Sequence, residues 1–325
     1  MQEKLDRKIP VIFRMNDLSK NILSTIVYYD CLDYPMTAFE VWKYLIRNQE
    51  AGNSDQEEKN SLLDIMNCLE KDDLKKFVEE YRGFYFLKGR RDLVEKRLEN
   101  NKISEEKLKI IRRVVWFLRF VPFMRMVAIT GRVAMKNAEK SSDLDLLIVL
   151  KHGHIFTGRI LATLLVHLLG KRRYGKKIKD RICLNYFITT KSLEISSQDL
   201  FSSSEYFFAR PVFGFKVFRK FQMKNGWIKN YRPNYNVSDL AERCLVKDSF
   251  FSKKIRKVGE KIFGWEFLEN MLKKWQMKRI AKDPRTHKNG SMVEAGDEAL
   301  IFLPEPQGPE VFEKFQRKME ELNRT

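Results

Sequence analysis

The stretch Ile129–Leu150, ITGRVAMKNAEKSSDLDLLIVL, decides how this chain is read. Met124–Thr130 (MRMVAIT) is β-prone and stops at Gly131. Arg132–Ala138 is helix-capable, and Asp143–Leu150 (DLDLLIVL) has the composition of a buried strand. Eleven residues lie between Gly131 and Asp143. Side chains alternate along a strand, so Asp143 and Asp145 project from the same side. The apolar run after Asp145 suits a strand covered on both faces. Working outward, Phe156–Leu169 is an apolar helix and Ile182–Thr189 (ICLNYFIT) another strand. Strand, helix, strand, helix, strand in succession predicts a mixed sheet in a protein of α+β class.

Two carboxylates on one face repel each other, and a cation between them relieves the repulsion. Hard oxygen ligands suit Mg²⁺ or Mn²⁺, which bind one or two carboxylates together with substrate phosphates. A glycine at the end of the preceding strand lets backbone approach a phosphate, and the following helix start offers free N–H groups. This combination fits phosphoryl or nucleotidyl transfer with a metal-held nucleoside triphosphate. A solvated edge strand or turn would also place two aspartates together. It predicts polar neighbours, whereas LDLLIVL is among the most apolar strands of the chain.

The pattern GRxAxxNAxxxSDLDLLIV resembles the glycine-to-DxD signature of the DNA polymerase beta-type nucleotidyltransferase superfamily. In that family a glycine–serine pair opens a short helix and two aspartates on the next strand bind metal. The resemblance implies a central nucleotidyltransferase-fold sheet, with Gly131 approaching the phosphates and Asp143 and Asp145 holding Mg²⁺ or Mn²⁺. Ser142 precedes the first aspartate, as is common in the family. The family's phosphate-binding serine is Arg132 here, and an arginine pairs with phosphate through its fork of donors. No third carboxylate is obvious on a later strand. Cys183, Asn185 and Phe187 are expected to share a face of the Ile182–Thr189 strand, which makes Asn185 the candidate third ligand. The implied activity is transfer of a nucleoside monophosphate from an NTP to an acceptor. A protein of this fold with weakened activity would instead sense nucleotide or bind nucleic acid.

Residues 17–46 carry two helical patterns, the second opened by Thr37 with Glu40 as a capping-box partner. Residues 48–60 are polar and read as loop, and a third helix spans about Ser61–Leu69. Residues 77–91 read as a hairpin turning at Arg82-Gly83, and helices at 92–100 and 104–119 follow. Three helices and a hairpin is the winged-helix order, and a small helical packing domain gives the same pattern. The third helix is poor in Arg and Lys, which a groove-reading helix needs. Arg82, Lys88, Arg90 and Arg91 near the wing are the basic residues that favour DNA. Beyond about residue 200 the pattern is helical: 200–209, 212–224, a long basic stretch over about 248–281, a short strand ALIFL, and a final helix over 309–322. The expected division is a winged-helix-like domain over 1–102, a nucleotidyltransferase domain over 103–199 and a helical basic region over 200–325. That order, with ICLNYF and the DPRT of the tail, also resembles bacterial and archaeal proteins carrying this domain.

With 325 residues, 43% hydrophobic and 32% charged, the chain has material for two or three packed domains at ~150 residues each. Lys and Arg number 62 against 43 Asp and Glu, a net charge of +19, which attracts polyanions such as NTP, RNA or DNA. Residues 171–181 (KRRYGKKIKDR) and 247–288 concentrate the basic charge. The longest apolar run, Ile160–Gly170, is shorter than the ~20 residues of a membrane span. The opening MQEKLDRK lacks an apolar leader region, and the four cysteines form no CxxC, so a cytoplasmic protein with reduced thiols is expected. His152 and His154 have no third ligand at metal spacing, and His167 on its apolar helix reads as a core residue.

Overall fold

Asn16 accepts the Ser19 N–H and so starts the first helix, α1 (Asp17–Asp30). The structure is a computed structural model that describes residues 15–47, 60–239 and 244–324. The opening MQEKLDRK and, Asn60 aside, the polar 48–60 stretch lie outside the described residues. After α1 come the two-residue strand β1 (Met36–Thr37) and α2 (Ala38–Lys43). Thr37 and Glu40 form the expected capping box. Ser61 and Asp64 form another at the head of α3 (Leu62–Leu69), which the four-residue α4 (Asp72–Lys75) follows. Strands β2 (Val78–Tyr81) and β3 (Phe84–Leu87) make the expected hairpin. Its turn residues Arg82 and Gly83 both have positive φ, 55° and 79°, which matches the twist of the strands. β1 pairs with β3, giving a three-stranded antiparallel sheet in the order β1-β3-β2.

One 27-residue helix, α5 (Asp92–Leu118), replaces the two helices expected over 92–119. Ser104 bridges the interval by donating its hydroxyl to the Asn100 carbonyl while accepting the Ala138 N–H. Next come β4 (Met124–Ile129), the four-residue α6 (Gly131–Ala134), β5 (Leu144–Leu150), α7 (Ile155–Leu168) and β6 (Ile182–Thr189). Then follow α8 (Leu200–Phe208), β7 (Arg210–Phe213), α9 (Phe215–Lys224) and α10 (Ile228–Tyr231). The helix expected over 212–224 is broken at Gly214. Its φ is +80°, and a Cβ there would meet the Arg125 carbonyl oxygen at 2.1 Å. The long basic stretch is two helices, α11 (Phe250–Phe263) and α12 (Glu266–Ala281), separated at Gly264-Trp265. β8 (Met292–Ala295), β9 (Ala299–Leu303) and α13 (Gln307–Arg324) complete the described chain.

The main sheet has six strands in the order β7-β4-β5-β6-β9-β8. β5 and β6 run parallel, joined by the α7 crossover, and the other neighbours are antiparallel. The architecture is therefore α+β around a mixed sheet, as expected. On β5, Leu144, Leu146, Ile148 and Leu150 enter one core and Leu147 and Val149 the opposite one, so both faces are covered. The first core also takes in Ile22, Leu23 and Ile26 of α1 and Phe315 and Met319 of α13. The second is closed by Phe218 and Phe221 of α9 and by Ile228.

The expected divisions at 102/103 and 199/200 need correction. α5 runs unbroken through residue 102, and the N-terminal helices share one core with the sheet. β7, β8 and β9, all beyond residue 200, supply three of the six strands.

Candidate metal centre

Asp143 and Asp145 stand at the start of β5, on the face that Leu147 and Val149 continue into the second core. Their position is set by the loop that leads in. Buried Lys107 on α5 donates to the Ser142 carbonyl (2.8 Å), the Lys140 carbonyl (3.3 Å) and the Asp180 carboxylate (2.7 Å). Asn137 donates to the Leu32 and Asp33 carbonyls and accepts from Asn100. Ser142 accepts the Glu139 N–H through its hydroxyl, which closes the turn ahead of Asp143. Ser142 and Asn137 therefore fix the loop, and this accounts for their place in the sequence pattern without a ligand.

One ligand atom each from Asp143, Asp145 and Cys183 lies within 4.8 Å of the others. Cys183 is the β6 partner of Asp145 across the parallel ladder. Arg173, from the basic 171–181 run, donates to Asp143 Oδ2 at 2.5 Å and to Cys183 Sγ at 3.3 Å. Burial pushes Asp145 up to about 7, and the charges of Asp143 and Glu205 push the same way, against Arg173 and a hydrogen bond from Cys183. Burial likewise pushes the Cys183 thiol up to about 12, helped by both aspartates.

Gly131 sits directly against this group. Its φ is +63°, and a Cβ there would lie 2.7 Å from Asp145 Oδ2. The glycine is required twice, by its backbone conformation and by the approach of the carboxylate. Arg132, beside it, reaches Glu139 at 3.4 Å.

Glu205 on α8 was not singled out in the sequence. Burial raises its carboxyl to about 7, and Thr130, at the end of β4, hydrogen-bonds to it. Its charge is felt at Asp145, from a helix rather than a strand, although Glu205 is not among the converging ligand atoms. The available signal was a single acid in LFSSSEYFF, a helix otherwise of apolar and small residues.

The face expected to be shared by Cys183, Asn185 and Phe187 does not extend to Phe187. The register between β5 and β6 slips between Asp145↔Cys183 and Leu147↔Tyr186. This bulge inverts the alternation beyond it, so that Phe187 enters the first core and Tyr186 packs on the second. Cys183 and Phe187 consequently point to opposite faces, and the ligand position beside the aspartates is taken by Cys183.

Elsewhere, His154 stacks on Phe123 with ring centroids 4.1 Å apart, and His152 Nδ1 is 2.8 Å from Glu298. Near the hairpin, Arg90 is tied to Asp30 and Asp33, Arg82 to Glu95, and Arg91 lies over the Tyr81 ring. α3 exposes Leu63 and Met66 and has no Lys or Arg, while Lys88 of the hairpin is exposed. Two open clefts of about 600 Å³ each also lie apart from the carboxylates, one lined by Asn16, Asn60 and Lys71, the other by Arg82, Lys96 and Lys102.

The donor set fits a divalent cation. Two carboxylates and a thiol converge, and burial, with the charge of Asp143 beside it, raises the Asp145 carboxyl to about 7. Hard Mg²⁺ would use the carboxylates, while Mn²⁺ or a softer ion would also draw on the Cys183 sulfur. Comparisons with family models, curated proteins and solved structures returned no match, so the assignment rests on this geometry.

Proposed function

We propose that the protein is a metal-dependent nucleotidyltransferase with the polymerase beta-type arrangement of glycine turn and paired aspartates. The observation that carries this reading is the convergence of Asp143 and Asp145 beside the positive-φ turn at Gly131. In this reading Asp143 and Asp145 hold Mg²⁺ or Mn²⁺, which when bound neutralises phosphate charge and lowers the pKa of the attacking hydroxyl. Arg173 supplies positive charge at the same point and would pass from Asp143 to a phosphate oxygen of the NTP. Gly131 lets the backbone turn lie close against the Asp145 carboxylate. Glu205 reinforces the negative field that draws the cation in. The N-terminal helices and hairpin, winged-helix-like in order, would support the sheet and present the acceptor.

A second reading is favoured by one specific observation. Arg173 already neutralises Asp143, and Arg132 stands where the superfamily has a serine. A fold of this kind that binds nucleotide without transferring it would serve as a sensor or a nucleic-acid-binding regulator.

Incubation with each labelled NTP, Mg²⁺ or Mn²⁺ and mixed RNA separates the two readings. Label transfer with pyrophosphate release, lost in Asp143→Ala/Asp145→Ala, supports the transferase. Nucleotide binding with no pyrophosphate released supports the sensor. An absence of both cation and nucleotide binding rejects both.

A further inference from the structure

The two basic helices α11 and α12 both leave apolar residues on their outward faces, and α11 does so with polar residues turned inward. On α11 the inner face is Ser252, Arg256, Gly259 and Glu260. Arg256 donates to Asp248 (2.7 Å) and to the Arg119 carbonyl (2.5 Å). Glu260 takes a two-pronged pairing from Arg125 (2.8 and 3.1 Å) and accepts the Phe123 N–H (3.3 Å). Gly259 lies so close to Pro122 that a Cβ would meet its ring at 2.5 Å. These contacts fix the rotation of the helix about its axis. Phe251, Ile255, Val258 and Ile262, spaced i, i+4, i+7 and i+11, then form a stripe in solvent, with Phe250 82% exposed beside it. Lys254, Lys257 and Lys261, all exposed, form a row along one border of the stripe.

α12 is seated differently: Leu272, Met277 and Ile280 pack against the first core, and two polar side chains bond beside them. Glu269 accepts the Phe156 and Thr157 N–H groups at the head of α7, both at 2.9 Å. Gln276 bonds the Phe156 carbonyl and Arg159. Outward are Phe267 (78% exposed), Met271 and Trp275, interleaved with Lys274, Lys278 and Lys282, and Trp265 between the helices is 69% exposed. The apolar surface continues onto the end of α5, where Phe120 meets Phe251 edge-on at 6.3 Å and Trp116 is exposed. Glu260 and Glu269 are drawn into the inner contacts, which leaves Glu266 as the exposed acid of the two helices among a larger number of exposed lysines.

We infer that α11 and α12 form a platform that docks the protein on the surface of an anionic lipid bilayer. Exposed aliphatic and aromatic side chains bordered by lysines are complementary to a layer that is acidic at its head groups and apolar just beneath. A nucleic-acid groove satisfies the lysines but leaves the Ile255–Val258–Ile262 stripe in water. A protein interface of this size would be depleted of lysine at its centre. No helix among the described residues is long and apolar enough to span a membrane, so the attachment is peripheral. This inference is independent of the carboxylate site.

The test is sedimentation of the full chain with vesicles of phosphatidylcholine alone or with about one third phosphatidylserine. Binding to the acidic vesicles is expected, at least about tenfold weaker on the neutral ones. Phe251→Ser/Ile262→Ser and Lys254→Glu/Lys257→Glu/Lys261→Glu should each weaken it by at least about tenfold. Leu168→Ser, at an exposed leucine on α7, should bind as the wild type does. Should a variant fail to fold, quenching of wild-type tryptophan emission by brominated lipid in acidic vesicles gives a second readout, because Trp265 and Trp275 lie on the platform. The inference is overturned if the wild type does not bind acidic vesicles, if the stripe variant binds as the wild type does, or if the wild-type tryptophans are not quenched. It is equally overturned if the stripe substitutions alter only self-association or binding to an RNA oligonucleotide.

Discussion

Replacing Gly131 by alanine perturbs the proposed centre at one atom. Two costs arise, and the structure allows them to be separated. The first is conformational: a non-glycine residue at positive φ costs ~1–2 kcal/mol, partly offset by ~0.4–1 kcal/mol from the stiffer unfolded chain. The second is local. The new Cβ would fall 2.7 Å from Asp145 Oδ2, well inside contact distance. That carboxylate belongs to a short side chain hydrogen-bonded by Cys183, so it yields only by turning away from the cluster. Gly153 provides the control, since its φ is +79° and no atom lies within 4 Å of its Cβ position. Gly153→Ala should therefore show the conformational cost alone. Gly131→Ala should be less stable than Gly153→Ala by roughly 1 kcal/mol, or ~2 °C in melting temperature. It should also bind Mn²⁺ roughly 10–100-fold more weakly, the usual penalty for disturbing the support of a metal ligand. Thermal melts in EDTA and Mn²⁺ titration followed by electron paramagnetic resonance give the two readouts. Equal melting temperatures and equal Mn²⁺ affinities for the two variants would refute the reasoning, because Asp145 would then be free to move without consequence.

Other outcomes follow from the same charges. Asp145 has a folded-state pKa of about 7, above its ordinary value of 3.8, so the native state keeps a proton that the unfolded chain gives up. Stability in EDTA should accordingly fall as pH rises from about 4 to 7 and then level off. Asp145→Asn should flatten that fall and melt higher than the wild type at pH 8, while losing all stabilisation by added Mn²⁺. Arg173→Met removes the positive charge at Asp143 Oδ2, so Mn²⁺ alone should bind more tightly and NTP more weakly; a parallel loss of both in calorimetry would deny Arg173 a role toward phosphate. Glu205→Gln takes one negative charge from beside Asp145, and the pH midpoint of Mn²⁺ binding should move down. An unmoved midpoint would place Glu205 outside the site's electrostatics.

Local signals carried the sequence reading where a single element decided them. The Thr37–Glu40 box, the Arg82-Gly83 turn and the Ile182–Thr189 strand all stand where short-range chemistry put them. The aspartate pair was legible for the same reason, since alternation in one strand was enough to bring the two side chains to one side. The rest of the site was not local. Phe187 was put on the face of Cys183 by extending the same alternation, and one slip in the register between two strands moved it to the other. Arg173 was hidden in a basic run in which no residue differs visibly from its neighbours, and only the loop path brings it to Asp143. Glu205 arrives from a helix sixty residues after Asp145. The four-residue β7 was too short to stand out from helical neighbours, so its place at the edge of the sheet, and with it the integration of the C-terminal region, had no signature. α11 read correctly as basic and amphipathic. What periodicity could not tell was which face it turns inward, because that is fixed by Arg125, Pro122 and Asp248, partners remote in the chain or outside the pattern.

The balance of charge at the centre links the two functional readings. Asp143, Asp145 and Glu205 cannot all remain ionised in a partly buried site with one arginine between them. The protein resolves this by pairing Asp143 with Arg173 and by raising Asp145 and Glu205 toward neutrality. A divalent cation does the work of both devices at once. Held by Asp143 and Asp145, it would favour the ionised form of Asp145 and compete with Arg173 for Asp143, and a phosphate oxygen would be a suitable partner for the guanidinium so released. Cation and triphosphate should therefore bind cooperatively, each removing the charge that opposes the other, in a transferase and in a sensor alike. The difference between the two lies after binding, in whether an acceptor hydroxyl can reach the α-phosphate beside Gly131. Arg132 bears on that step: it is held back by Glu139, and release of that pair would bring a second guanidinium toward the phosphates in place of the small hydroxyl that the resemblance implies.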